Sequence, residues 1–116
     1  MNERDETRLL FIKDEAEFLL EMTDGCDLQG FLSDEGKKRA GSMALITIGE
    51  YASRLSDGFK QENQGIKWRS ISDLRNIADH NYEGICMEDI WGISVNDVPE
   101  LLEQVKGILN AEGVEE

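Results

Sequence analysis

Apolar residues in this chain recur every three or four positions, segment after segment, and that period belongs to helices. Leu9, Ile12, Ala16 and Leu19 mark one face of a first helix, expected from about Asp5 to Met22. Phe11, Phe18 and Met22 form a second stripe beside it. An apolar arc that wide suits burial on two sides, against a core and against another subunit. Gly25 is expected to end this helix, and a short helical turn to follow near Leu28 to Leu32. Ala40, Ala44, Ile48, Tyr51 or Ala52, Leu55 and Phe59 carry the period through a second long helix, from Ser33 or Asp34 to about Phe59. Gly41 and Gly49 either weaken that helix locally or let another backbone come close. The polar stretch from Gly58 to Gly65 reads as a loop.

In a third helix, Ile71, Leu74 and Ala78, with Ile77, are expected to face inward. The mixed segment from Gly84 to Val95 offers Ile90, Trp91 and Ile93 to pack a helical turn onto the rest. A last helix is expected from Asp97, with Glu100 completing a capping box and Pro99 in the first turn, where its missing N–H costs little. Val98, Leu101, Val105 and Ile108 then give it an inward stripe. No strand-period segment competes, and the chain has a single proline. The expected fold is therefore all-α: an antiparallel four-helix up-and-down bundle with one or two short extra helices. At 116 residues the chain reads as one domain, residues 1–116, with a core from about 5 to 110 and an acidic tail after Asn110.

The formal net charge is −13, which taken alone argues against binding nucleic acid. Its distribution argues otherwise. Residues 37–82 hold eight Lys/Arg and five Asp/Glu, net +3, and the remainder is net −16. The acidic ends read as solvated helix faces, or as a surface for a basic partner. The two cysteines, Cys26 and Cys86, follow no spacing motif and read as reduced thiols. One histidine and two distant cysteines cannot build a zinc site, and the carboxylates show no spacing that picks out Mg²⁺. No cofactor is expected. With no signal-like stretch in residues 1–8 and no apolar run of membrane-spanning length, the expected location is cytoplasmic, with no membrane contact.

The run Leu74-Arg75-Asn76-Ile77-Ala78-Asp79-His80-Asn81-Tyr82 holds the residues best suited to chemistry. His80 is the chain's one histidine, and its side chain can take or give a proton near neutrality. Arg75 keeps its charge and presents a planar fork that fits a phosphate. A proton-transfer group beside a permanent cation is the minimum for metal-free cleavage of RNA. Plainer roles exist: His80 capping helix carbonyls, Arg75 paired with Asp73 or Asp79, Tyr82 as a packed ring. Trp68 and Trp91 suit packing better than base stacking, and Lys37-Lys38-Arg39 suits a solvated face better than a phosphate contact. On an unbroken helix Arg75 and His80 would sit about 140° apart and share no face. They can converge if the helix ends near His80, or if a twofold dimer brings each toward its copy.

The pattern of Arg75, four residues, His80, one residue, Tyr82 resembles the signature of the HEPN superfamily, and of its HepT-like branch in particular. Ile66-Lys67-Trp68, Ile71, Asp89-Ile90-Trp91, Asn96-Asp97-Val98-Pro99-Glu100-Leu101 and Ile48-Gly49-Glu50 also fall where such sequences carry similar residues. The similarity spans most of residues 5 to 110. It departs at Lys67, where many relatives have proline, and in its unusual acidity. The resemblance implies a helical bundle that forms homodimers and acts as a metal-independent endoribonuclease. It implies a toxin–antitoxin context with a minimal nucleotidyltransferase as partner. His80 would then be base or acid, Arg75 would stabilise charge on the phosphate, and Asn76 would orient the reacting groups. Tyr82 would be where the partner attaches AMP. The product would carry a 2′,3′-cyclic phosphate. Two rivals keep the bundle: a non-catalytic dimer that binds nucleotide or RNA for the transferase, and a purely structural acidic interaction protein.

Overall fold

The computed structural model describes residues 1–114 and is all-α, a helical bundle with short extra helices. Three long elements frame it. Helix α1 (Glu3–Thr23) packs along α3 (Glu35–Arg54) on one side and α7 (Val98–Ala111) on the other. Between them lie α2 (Leu28–Leu32), α4 (Asp57–Glu62), α5 (Trp68–Ser72) and α6 (Met87–Gly92). A 3₁₀ segment, Asp73–Asp79, continues α5, and both lie against α3. Together they occupy the place expected for the third long helix.

Helix α1 starts earlier than its apolar stripe because the Asn2 side chain caps it, accepting from the Asp5 N–H at 2.7 Å. Leu9, Ile12, Ala16 and Leu19 are fully buried, as their spacing requires. The second stripe is not: Phe11 is 44% and Phe18 42% exposed. Gly25, at φ +71°, supplies the left-handed turn that lets the chain leave α1.

The second long helix is shorter than its period suggests. It stops at Arg54, and Leu55 turns extended (φ −63°, ψ 143°). Ser56 then caps α4, which fills most of the expected Gly58–Gly65 loop. The cause lies 51 residues away. The buried Asp5 carboxylate accepts from the Ser56 N–H at 2.9 Å and from its hydroxyl at 2.6 Å. Leu55 and Phe59 stay buried, so the apolar pattern predicts burial correctly even where the helix breaks. Replacing Asp5 with Ala should leave both Ser56 donors without a partner and cost about 1–3 kcal/mol in urea unfolding. Wild-type stability of that variant would show that the break is set elsewhere.

The last helix has no N-terminal cap at Asp97. Its backbone is already helical there and its side chain makes no capping bond, so the expected capping box does not form. The chain is helical from Met87, through a π turn at Ile93–Asp97, into α7. The Val98 N–H donates to the Ile93 carbonyl, five residues back. Proline inside a helix clashes with the preceding turn, and a widened turn just before Pro99 relieves that clash. Val98, Leu101 and Val105 are buried as expected, joined by Leu102 and Leu109, while Ile108 is half-buried. Helix α7 runs to Ala111, the first residue of the expected acidic tail; Glu115 and Glu116, in that tail, lie outside the described residues. No helix among the described residues is long and apolar enough to cross a membrane.

Candidate functional site

The segment bearing Arg75 and His80 is a 3₁₀ helix, and its tighter period decides which side chains face out. Side chains three apart share a ridge in such a helix. Ile71, Leu74 and Ile77 form the inward ridge, each half-buried against the core. Ala78 is exposed, contrary to its expected inward position, because the four-residue step that pairs it with Leu74 belongs to an α-helix. Arg75 and Ala78 share one outward ridge; Asp73, Asn76 and Asp79 share the other. Asn76 and Arg75 are therefore neighbours on two exposed ridges.

Gly49 explains how closely this segment lies on α3. A Cβ added at Gly49 would sit 2.9 Å from the Leu74 carbonyl carbon and closer still to the Arg75 amide nitrogen. Only glycine permits that approach, so the backbone of Arg75 is seated directly on α3. Gly49 was one of two candidates for such a contact. At Gly41 the neighbours are instead the side chains of Met22, Phe31 and Ile90.

The helix ends just before His80. Asp79 closes the 3₁₀ segment, and His80 turns extended at φ −98°, ψ 147°, its N–H donating to the Ile77 carbonyl at 3.2 Å. Asn81 is extended too, and Tyr82–Gly84 forms one further 3₁₀ turn. Arg75, Asn76 and His80 are all exposed. Among the described residues, no carboxylate pairs with Arg75, neither Asp73 nor Asp79, and no side-chain hydrogen bond joins these three groups to each other. Within one chain they are presented to solvent, their side-chain polar atoms without a protein partner among the described residues.

Tyr82 is different. It is half-buried, and its hydroxyl donates to Glu35 Oε2 at 2.9 Å. The Arg39 guanidinium lies 4.2 Å from its ring centroid. Glu35 also holds Lys38 at 2.7 Å and Arg39 at 3.9 Å. Hydrogen bonds from Lys38 and from Tyr82 hold the Glu35 carboxyl below its ordinary range. Partial burial, and then the bond to Glu35, push the Tyr82 phenol above its own. At neutral pH the pair is thus a protonated donor facing an ionised acceptor. In the sequence Arg39 reads as part of a solvated face with Lys37 and Lys38, and Glu35 carries no mark. Their three- and four-residue spacing from each other and Lys38 marks a helix-surface charge pair, but nothing local announces a tyrosine 47 residues on.

Of the other residues singled out, Trp68 is buried, with its indole N–H donating to the Asn63 carbonyl at 3.0 Å. Trp91 tilts against Phe31. Both therefore pack. Cys26 and Cys86 are free thiols. A cleft of about 430 Å³ is lined by residues that include Lys67, Ile71, Leu74, Asp97 and Gln104; Arg75, His80 and Tyr82 do not line it. Among the described residues, no group of three or more His, Cys, Asp and Glu side chains is arranged to hold a metal ion.

Comparison with known proteins agrees with the motif. A family model described as "Ribonuclease HepT-like" matches residues 12–108. A protein named "Putative RNase" from Caldanaerobacter subterraneus subsp. tengcongensis is 34% identical over 101 residues, 87% of this chain and 90% of the relative. A second protein so named, from Methanocaldococcus jannaschii, is 30% identical over 107 residues, 91% of this chain and 98% of the relative. Another from the same organism is 29% identical over 99 residues, 84% of this chain and 82% of the relative. No solved structure matches significantly. On the family match and these relatives, the chain belongs to the HepT-like ribonuclease family of the HEPN superfamily.

Proposed function

We propose that this protein is a metal-independent endoribonuclease that works as a homodimer, the toxin of a toxin–antitoxin pair whose antitoxin is a minimal nucleotidyltransferase. Membership in a ribonuclease family supports RNA cleavage. The observation that carries the chemistry is the free presentation of Arg75 and His80 on a segment whose backbone is seated on α3 through Gly49. Cleavage follows from two proton transfers. A base removes the proton of a ribose 2′-hydroxyl, the 2′-oxygen bonds to the adjacent phosphorus, and the bond to the 5′-oxygen breaks as that oxygen gains a proton. The products are a 2′,3′-cyclic phosphate and a 5′-hydroxyl. His80 serves as base or acid, Arg75 neutralises charge on the phosphate, and the Asn76 amide orients it.

One imidazole per chain favours a twofold assembly, in which two copies supply both base and acid. Phe11 and Phe18 on α1 support such pairing: Phe11 stacks on Tyr51 within the chain, yet 44% of it and 42% of Phe18 still face water. The nucleotidyltransferase would act on Tyr82. The phenolic oxygen would bond to the α-phosphorus of a nucleoside triphosphate, pyrophosphate would leave, and the proton would pass to a carboxylate such as Glu35. The attached nucleotide would block the cleft by bulk and charge.

The decisive experiment incubates the purified protein with RNA in EDTA and identifies the ends. Cyclic phosphate and 5′-hydroxyl ends are expected. Ends bearing 5′-phosphate and 3′-hydroxyl, or cleavage that appears only when Mg²⁺ is added, would overturn the mechanism.

A further inference from the structure

We propose that Glu35 and Arg39 are positioning residues of the ribonuclease site, which act through Tyr82 to clamp the His80 segment onto α3. The inference rests on reading His80 as the proton-transfer group.

Residues 80–84 need such a clamp. His80 and Asn81 are extended, and the backbone hydrogen bonds around them are local: His80 to Ile77, Gly84 to Asn81 at 2.7 Å, Ile85 to Tyr82 at 3.2 Å. His80, Asn81, Glu83 and Gly84 are exposed, and Tyr82 alone of the five is half-buried. Among the described residues, the side-chain hydrogen bond and the ring contact that tie this stretch to another element both belong to Tyr82. Its hydroxyl is held by Glu35, and its ring lies under Arg39. A tyrosine gripped at both face and tip cannot swing freely, and the imidazole two residues earlier inherits that restraint.

Helix α3 thus carries two anchors. Gly49 seats the backbone of Arg75, and Glu35 with Arg39 seats Tyr82 beyond His80. The anchors are 10 to 14 residues apart on one rigid helix, about 15–21 Å. The cation and the imidazole are strung between them. The clamp also gives the modification of Tyr82 a second effect. A phosphodiester on the phenolic oxygen has no proton to donate and carries a negative charge. Glu35 would repel it, while Lys38 and Arg39 would turn to its oxygens. Attachment of a nucleotide would then release the His80 segment as well as cover it.

The test uses unmodified full-length protein and four variants: Tyr82→Phe, Glu35→Ala, Glu35→Gln and Arg39→Ala. Two readouts are taken: kcat and KM for RNA cleavage in EDTA, and the imidazole proton resonances, which are unambiguous because His80 is the one histidine. Misplacing a reacting group by about 1 Å costs on the order of 10²-fold in rate. Tyr82→Phe, Glu35→Ala and Arg39→Ala should therefore lose roughly 10- to 100-fold in kcat with KM little changed. Their His80 resonances should shift and broaden. Glu35→Gln, which keeps an acceptor oxygen, should recover much of the loss. Wild-type kcat and wild-type resonances in all four variants would overturn the clamp. So would a rise in KM alone, which would make these residues direct RNA contacts. If the wild-type protein cleaves no RNA, the ribonuclease reading fails, and the resonances still decide whether the clamp exists.

Discussion

Exchanging His80 for alanine should lower RNA cleavage by about 10²–10⁴-fold, the usual worth of a positioned proton-transfer group. Arg75→Ala should cost about 10²–10³-fold, as expected when a donor aimed at developing charge is removed. Both side chains are exposed and neither is used by the protein's own hydrogen bonds or ion pairs among the described residues. Their removal should therefore leave the unfolding midpoint almost unchanged, since surface substitutions away from structural features usually stay within about ±0.5 kcal/mol. That separation gives the comparison its force, because lost activity with intact stability cannot be blamed on the fold. Arg75→Lys keeps the charge but not the planar fork, and should fall between wild type and Arg75→Ala. Undiminished cleavage by both alanine variants would take the chemistry away from this pair. Tight RNA binding with no turnover, even in the wild type, would favour the binding-module reading over the enzyme.

Gly49→Ala should be among the most damaging small changes the chain can suffer. The new methyl group would meet backbone, the Leu74 carbonyl carbon at 2.9 Å and the Arg75 amide closer still, and backbone yields only if α3 and the 3₁₀ segment move apart. Overpacking of this kind typically costs about 1–3 kcal/mol, and a clash with main chain lies at the upper end or beyond. For a domain near this size each kcal/mol lowers Tm by about 4–8 °C. Activity should fall further than stability alone dictates, because the displaced backbone is that of Arg75. Gly41→Ala is the internal control. There the closest neighbour is the Met22 methyl at 3.3 Å, the far end of a flexible side chain that can give way. Urea unfolding of the two variants should separate them clearly. Equal loss in both would mean that the close approach at Gly49 is not what holds the segment in place.

Much of the fold could be read locally. The Leu9, Ile12, Ala16 and Leu19 stripe is buried completely, α2 spans Leu28–Leu32 as anticipated, and Gly49 does admit a neighbouring backbone. What escaped reading has a common cause, which is that distant residues override local period. Helix α3 ends at Arg54 because Asp5 captures Ser56. The motif segment is 3₁₀ rather than α, so Ala78 faces out although its spacing from Leu74 says otherwise. The site was legible in part. A helix end near His80 was one of the two ways in which Arg75 and His80 could converge, and the 3₁₀ segment does end there. The grip of Glu35 and Arg39 on Tyr82 joins residues more than forty positions apart, and no periodicity encodes it.

The π turn at Ile93–Asp97 gives this chain one short stretch where its length can change at little cost to the bundle. Each residue of an ordinary helix advances the azimuth by about 100°. Deleting any one residue between Ile93 and Asp97 would let the helix regain its ordinary pitch. The wide turn has already absorbed the advance of that residue, so Val98, Leu101 and Val105 would stay turned towards α1. The cost would fall on Pro99, whose ring meets the preceding turn once that turn closes. The extra residue is therefore slack between two halves of one rod, and a lineage that lost it could keep the apolar lettering of α7 but would gain by replacing its proline.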